Sequence, residues 1–292
     1  MNCKRWSKRL SLISHSSLAA IGVIWLIINV GNYLSHDWID KNINTNLTVI
    51  ILVFVFIVVL IVRRPPSTFR SKIDGKDVWI EIKVGNAHKN KGALVVPINN
   101  EFDPSQGGNI IKAKNPSILN ELICRYYSSQ VEHLITDINQ KKDLLRGDDG
   151  KYPIGSMVEI EQKNKKFYLL ANSYKNLQNR STSDNNDFLS SLGGLWESLS
   201  NDAEKDDVIT IPLINTGHGR ATNLTRKTSV HYIIRTFIFA VQQKTVCDKL
   251  IISIYPDDVT KGNIDLDELG EYLKYACKYY IFNPKPIGTE IV

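Results

Sequence analysis

A chain of 292 residues with 43% apolar side chains can bury a full core, which suggests one ordinary domain with something added to it. Its formal charge of +6 is unevenly placed: residues 1–72 hold nine Lys/Arg against two Asp/Glu, and the remaining 220 residues hold 27 against 28. The near-neutral bulk argues against a nucleic-acid-binding surface, and four cysteines (Cys3, Cys124, Cys247, Cys277) without C-x-x-C or Cys/His ligand spacing read as reduced thiols in a cytosolic setting, with no structural metal.

In chain order, residues 1–15 form a basic start carrying Lys4, Arg5, Lys8 and Arg9. Residues 16–34 and 46–62 are uncharged apolar runs near the length that spans a bilayer. A second span so soon after the first, and no small-residue cleavage site, favour a transmembrane hairpin over a signal peptide. The connection 35–45 is slightly acidic, while Lys4–Arg9 and Arg63–Arg64 flank the other side. The positive-inside rule then places both termini in the cytoplasm. Neither span holds an ionisable residue, so no proton relay is expected there. Pro65 and Pro66 open a linker, 63–76, before a domain at 77–292.

Within that domain Asp77–Val84 alternates like a strand, and Ala93–Ile98 is a fully apolar one. Asn115-Pro116 is expected to open a helix through about Tyr127, and Gln130–Leu145 reads as another. Ser156–Glu161 and Lys166–Asn172 form a hairpin, 175–187 a polar loop, and Phe188–Ala203 a helix. Val208–Ile214 is a buried strand that runs into Asn215, Thr216, Gly217, His218, Gly219 and Arg220. A helix beginning near Ala221–Thr225 follows and continues to Gln243. A strand, a glycine-rich turn and a helix N-terminus together make an anion site. Leu250–Ile254 is a last strand, closed by Tyr255-Pro256, and Asp265–Tyr279 a last helix. The fold class is α/β: a three-layer α/β/α sandwich with a mixed sheet, preceded by the two-helix membrane hairpin.

Three loops should then lie at one sheet edge: Gly85–Ala87, Ile98–Ile110 and Asn215–Arg220. Open α/β sheets bind ligands outside the carboxyl ends of their strands. Gly85-Asn86, Pro97-Ile98-Asn99-Asn100, Gly107-Gly108-Asn109 and Thr216-Gly217-His218-Gly219, in that order over about residues 78–280, resemble the macrodomain, an ADP-ribose-binding module. The resemblance implies that Asn86 reads the adenine amino group, where the family pattern has Asp. It implies that Asn99 and Asn100 contact the distal ribose and that Gly107, Gly108 and Asn109 admit the diphosphate. Thr216, Gly217, His218 and Gly219 would wrap the phosphates, Arg220 would add charge, and Tyr255 would stack on adenine. No metal ligand and no cofactor is expected, only an ADP-ribose derivative as ligand.

With the hairpin, the architecture resembles the membrane-anchored macrodomain effector of type II Thoeris antiphage defence. That resemblance implies a bacterial multi-pass membrane protein that receives an NAD-derived signal from a TIR-domain partner, self-associates in the lipid bilayer and arrests or kills the cell. Glu101 and Asp103 are the only acids near the ribose loop and read as surface residues, so ligand binding is favoured over turnover. A membrane-tethered ADP-ribosyl hydrolase and a non-catalytic adaptor stand as alternatives.

Overall fold

The structure, a computed structural model, describes residue 22 and residues 67–107, 117–142, 150–175, 181–202, 206–214 and 224–280. Among these, no helix is long and apolar enough to cross a membrane. Apart from residue 22, the spans expected at 16–34 and 46–62 lie outside the described residues. Residues 67–292 form a compact unit.

Among the described residues, eight strands make one mixed sheet: β1 (Thr68–Lys72), β2 (Trp79–Val84), β3 (Ala93–Asn99), β4 (Met157–Gln162), β5 (Lys165–Lys175), β6 (Ser181–Thr182), β7 (Val208–Pro212) and β8 (Lys249–Ile254). Their order is β1-β2-β8-β7-β3-β5-β4, with β6 beside β5. The inner five run parallel, and β1 and β4 close the two sides antiparallel. The helices are α1 (Ile118–Tyr126), α2 (Val131–Lys142), α3 (Asn185–Asn201), α4 (Arg226–Gln243), α5 (Pro256–Thr260) and α6 (Leu266–Tyr279).

Strand alternation divides the core in two. Leu94, Val96 and Ile98 of β3 and Phe167 and Leu169 of β5 pack under α1 and α2. Ala93, Val95, Tyr168 and Leu170 face the other way and pack with α3, α4 and α6. The sandwich is therefore three-layered, as the apolar pattern requires. The β4–β5 turn places Lys163 and Asn164 at φ of 52° and 58°, the left-handed pair that a two-residue hairpin needs. Asp184 and Asp187 make a reciprocal capping box that starts α3.

Four boundaries differ from expectation. Residues 68–72, inside the expected linker, pair with Trp79–Lys83 of β2, and Phe69 lies against Gly270 of α6. The α1 helix starts after Ser117, whose hydroxyl accepts from Asn120 N at 3.1 Å, and not at Pro116. The polar stretch 175–187 contains a short strand, Ser181–Thr182, on Tyr174 and Lys175. Pro256 starts a short helix after β8 because its fixed φ suits a first helical turn.

Candidate functional site

The sheet is interrupted at its centre. β3 pairs with β5 over six positions and β7 with β8 over five, but β3 and β7 pair only at Ala93–Ile209 and Leu94–Thr210. Toward their carboxyl ends the two strands make no further register pairs. Pro97 and Pro212, one on each strand beyond those two pairs, have no N–H to donate between β3 and β7, while each keeps its register on its other side, Pro97 opposite Leu170 and Pro212 opposite Ser253. The resulting seam lies where the chain reverses direction across the sheet, with β5 on one side of β3 and β7 and β8 on the other. Such a switch point is where α/β sheets take ligands.

The β3 lip is held by Asn99, which is 4% exposed. Its Oδ1 accepts from Glu101 N at 3.0 Å and Asp103 N at 3.2 Å, and its Nδ2 donates to Asp103 O at 2.8 Å. This three-bond clamp lets Phe102 sit at φ 53°, a left-handed conformation uncommon for so large a side chain, with its ring buried edge-on against Tyr152. Asn100 is fixed through its backbone, donating to Ser173 O at 2.8 Å and accepting from Tyr152 N at 2.9 Å. Gly107 ends a short 3₁₀ turn, Pro104–Gly107, on the same lip.

Glu101 and Asp103 are not plain surface acids. Lys175, at the carboxyl end of β5, lies 2.7 Å from Asp103 and 3.3 Å from Glu101. Burial opposes ionisation of Asp103, but bonds from Lys175 and Ser105 outweigh it and hold its carboxyl below the usual aspartate range. An acid so stabilised as carboxylate is a weak base.

At the β2 corner, Asn86 is turned inward. Its Nδ2 donates to both oxygens of Glu121, at 2.9 and 2.8 Å, and its Oδ1 accepts from His88 N at 2.9 Å. The amide group is thus committed, and what the corner offers a ligand is acceptor oxygen, from Glu121 and the second lone pair of Oδ1. His88 is buried, with Nε2 3.0 Å from Ile118 O, and burial lowers its pKa against the opposing pull of that carbonyl and Glu121. Gly85 needs no special conformation, since a side chain there would meet nothing within 4 Å. Tyr255 ends β8 between this corner and β7 and is 42% exposed.

The structure therefore brings Asn86, Asn99, Asn100, Gly107 and Tyr255 to one sheet edge. Gly108, Asn109, Thr216, Gly217, His218, Gly219 and Arg220 lie outside the described residues. The helix after β7 begins at Arg226, later than expected, and Thr225 caps it by accepting from Thr228 N at 3.1 Å. Sequence reasoning missed Lys175, Glu121 and the seam. Prolines in two otherwise inner strands were the available signal for the last. Among the described residues, no cluster of His, Cys, Asp or Glu is placed to hold a metal ion.

Compared with known families, residues 80–255 match the family model described as Thoeris protein ThsA, Macro domain. Solved structures similar to this chain include macrodomains of Oceanobacillus iheyensis. One variant is 13% identical with a TM-score of 0.48, covering 71% of this chain and 100% of that one. A second variant is 14% identical with a TM-score of 0.46, covering 73% and 95%. The form with ADP is 15% identical with a TM-score of 0.42, covering 71% and 100%. No curated protein matches the sequence.

Proposed function

Since the chain belongs to the Thoeris ThsA macrodomain family, we propose that its carboxyl-edge seam is the receptor for an ADP-ribose-type signal in Thoeris defence. The observation that carries this reading is the end of β3–β7 pairing after two residue pairs, at the switch point of the sheet beside the Asn99 loop. In this reading the signal is NAD-derived and made by a TIR-domain partner, with histidine-linked ADP-ribose as one candidate. Its diphosphate lies between Gly107–Asn109 and Thr216–Arg220, and its adenine at the Asn86 corner. The acids beside Asn99 are engaged by Lys175, which supports binding over turnover.

The apolar runs at 16–34 and 46–62 support a membrane anchor for the receptor. Ligand that orders both lips favours a self-associating form, and tethering to a bilayer raises local concentration so that modest affinity suffices. Assembly of the hairpins then disrupts the membrane and stops growth. The test is thermal unfolding of the full chain in detergent with ADP-ribose, NAD and histidine-linked ADP-ribose in turn. Ligand at ~100 times its dissociation constant adds roughly 2.7 kcal/mol, a shift of several degrees. A shift selective for one conjugate supports a signal receptor. No shift with any of the three refutes the reading.

A further inference from the structure

The sheet is covered unequally at its β1 side. Ile80 and Ile82 of β2 belong to the core shared with α3, α4 and α6 and are fully buried. The alternate residues of the same strand are not: Trp79 is 37% exposed, and Glu81 and Lys83 are partly so. β1 repeats the pattern, with Thr68, Arg70 and Lys72 open and Phe69 and Ser71 partly covered. The register puts the open residues on one face, since Arg70 stands opposite Glu81, Lys72 opposite Trp79, and Trp79 opposite Lys249 of β8.

That face is cationic. Arg70, Lys72, Lys83 and Lys249 stand on it against one acid, Glu81, which lies 3.7 Å from Lys249. Asp77, in the β1–β2 turn, pairs with Lys72 at 2.8 Å, but its carboxyl is almost wholly in solvent and such a pair is weak. Among the described residues no acid pairs with Arg70 or Lys83, and the Arg70 guanidinium lies 5.5 Å from the centre of the Trp79 ring. Residues 73–292 together hold 27 Lys/Arg against 28 Asp/Glu, so this surplus is local. A basic face with an indole at its centre asks for two things: anionic oxygens for the cations, and a boundary half wet and half apolar for the ring. An acidic protein surface supplies the first; an anionic lipid surface supplies both. The sequence favours the lipid, because Thr68 follows the apolar run 46–62 by six residues, at most about 20 Å of chain.

We propose that the open face of β1, β2 and β8, with Arg70, Trp79, Lys83 and Lys249, docks onto anionic lipid headgroups. This rests on the membrane-anchor reading and goes beyond it, because an anchor alone leaves the domain free to tumble on its linker. With this face down, the strands lie along the plane of the bilayer. The seam at their carboxyl ends then opens sideways, toward a dissolved ligand and toward neighbouring copies held at the same height.

The test uses the full chain reconstituted in vesicles, with the photo-crosslinking amino acid p-benzoylphenylalanine in place of Trp79. In vesicles of phosphatidylcholine and phosphatidylglycerol at a two-to-one ratio, irradiation should give lipid adducts at position 79. The yield should fall about tenfold or more in phosphatidylcholine alone and with Arg70→Gln plus Lys83→Gln, since each basic residue at an anionic surface is worth about a fivefold preference. It should fall likewise in about 1 M salt, where the Debye length is about 3 Å. The same probe at Tyr174, exposed on β5, should give no adduct. Equal yields in the two kinds of vesicle, a yield unmoved by salt or by the double substitution, adducts from Tyr174 as strong as from position 79, or links to a second copy in place of lipid would each overturn the proposal. An alkaline carbonate wash separates it from the reading it rests on. A chain stripped from the vesicles refutes the anchor and the docking together, whereas a chain that stays and yields no adduct refutes the docking alone.

Discussion

Replacing Asn99 with Ala removes the clamp on the β3 lip without touching the sheet. Three hydrogen bonds disappear, and two backbone N–H groups and one carbonyl lose their partner in a loop where Phe102 sits at φ 53°. At about 1 kcal/mol net for each bond, the loss is about 3 kcal/mol. In a domain of this size each kilocalorie moves the midpoint by roughly 2–4 °C, so thermal unfolding should shift down by about 6–12 °C. Asn99→Asp separates the contributions. It keeps both N–H acceptances but turns the Asp103 carbonyl from a partner into a repulsive neighbour, so its midpoint should fall between those of the native chain and Asn99→Ala. Calorimetric titration with ADP-ribose should show weakened affinity for both. A midpoint within about 2 °C of native for Asn99→Ala, taken against the same scale, would refute the view that this side chain holds the lip.

Gly92→Ala should cost about 3 kcal/mol or more from overpacking and backbone strain. Gly92 has φ 78°, and a Cβ there would stand 2.1 Å from Val208 O, beside the two pairs that join β3 to β7; urea unfolding measures it. His88 supplies a pH dependence. Burial holds its folded pKa below the unfolded value of 6.5, so the unfolded chain binds more protons as pH drops below about 6.5. Stability should therefore be full above that pH and fall below it, and His88→Gln should flatten the decline in urea midpoint between pH 7 and 5; an unchanged slope counts against it. A residual slope from His231, whose pKa burial also lowers, is expected. Finally, a chain beginning at residue 67 should unfold cooperatively, whereas one beginning at residue 73 loses β1, bares the β2 edge and the Gly270 face, and should self-associate in size-exclusion chromatography.

The layer architecture was legible because burial imposes period. Ala93–Ile98 could only be an inner strand, and the stripe Val230, Ile233, Ile234, Phe237, Ile238 and Val241 could only be the inward face of a helix. β1 was not legible, because at an edge only Phe69 and Ser71 are partly covered and the five residues read as polar linker. The site was half legible. Motif order brought Asn86, Asn99 and Gly107 to one edge, since parallel strands end together. The uses of the side chains were not, because they depend on partners far away in sequence. Asn86 is turned in by Glu121, 35 residues on, and Asp103 is neutralised by Lys175, 72 residues on. No local pattern encodes such pairs.

The two-pair join between β3 and β7 also has a mechanical meaning. On one side of it stand β8, β2 and β1; on the other, β5 and β4. Apart from the short edge strand β6, each flank is stitched by ladders of five or six pairs, and the flanks meet along a join of two. A plate that is stiff on both sides of a weak line bends along that line. A molecule bound at the carboxyl end of that line would therefore act where the sheet yields most.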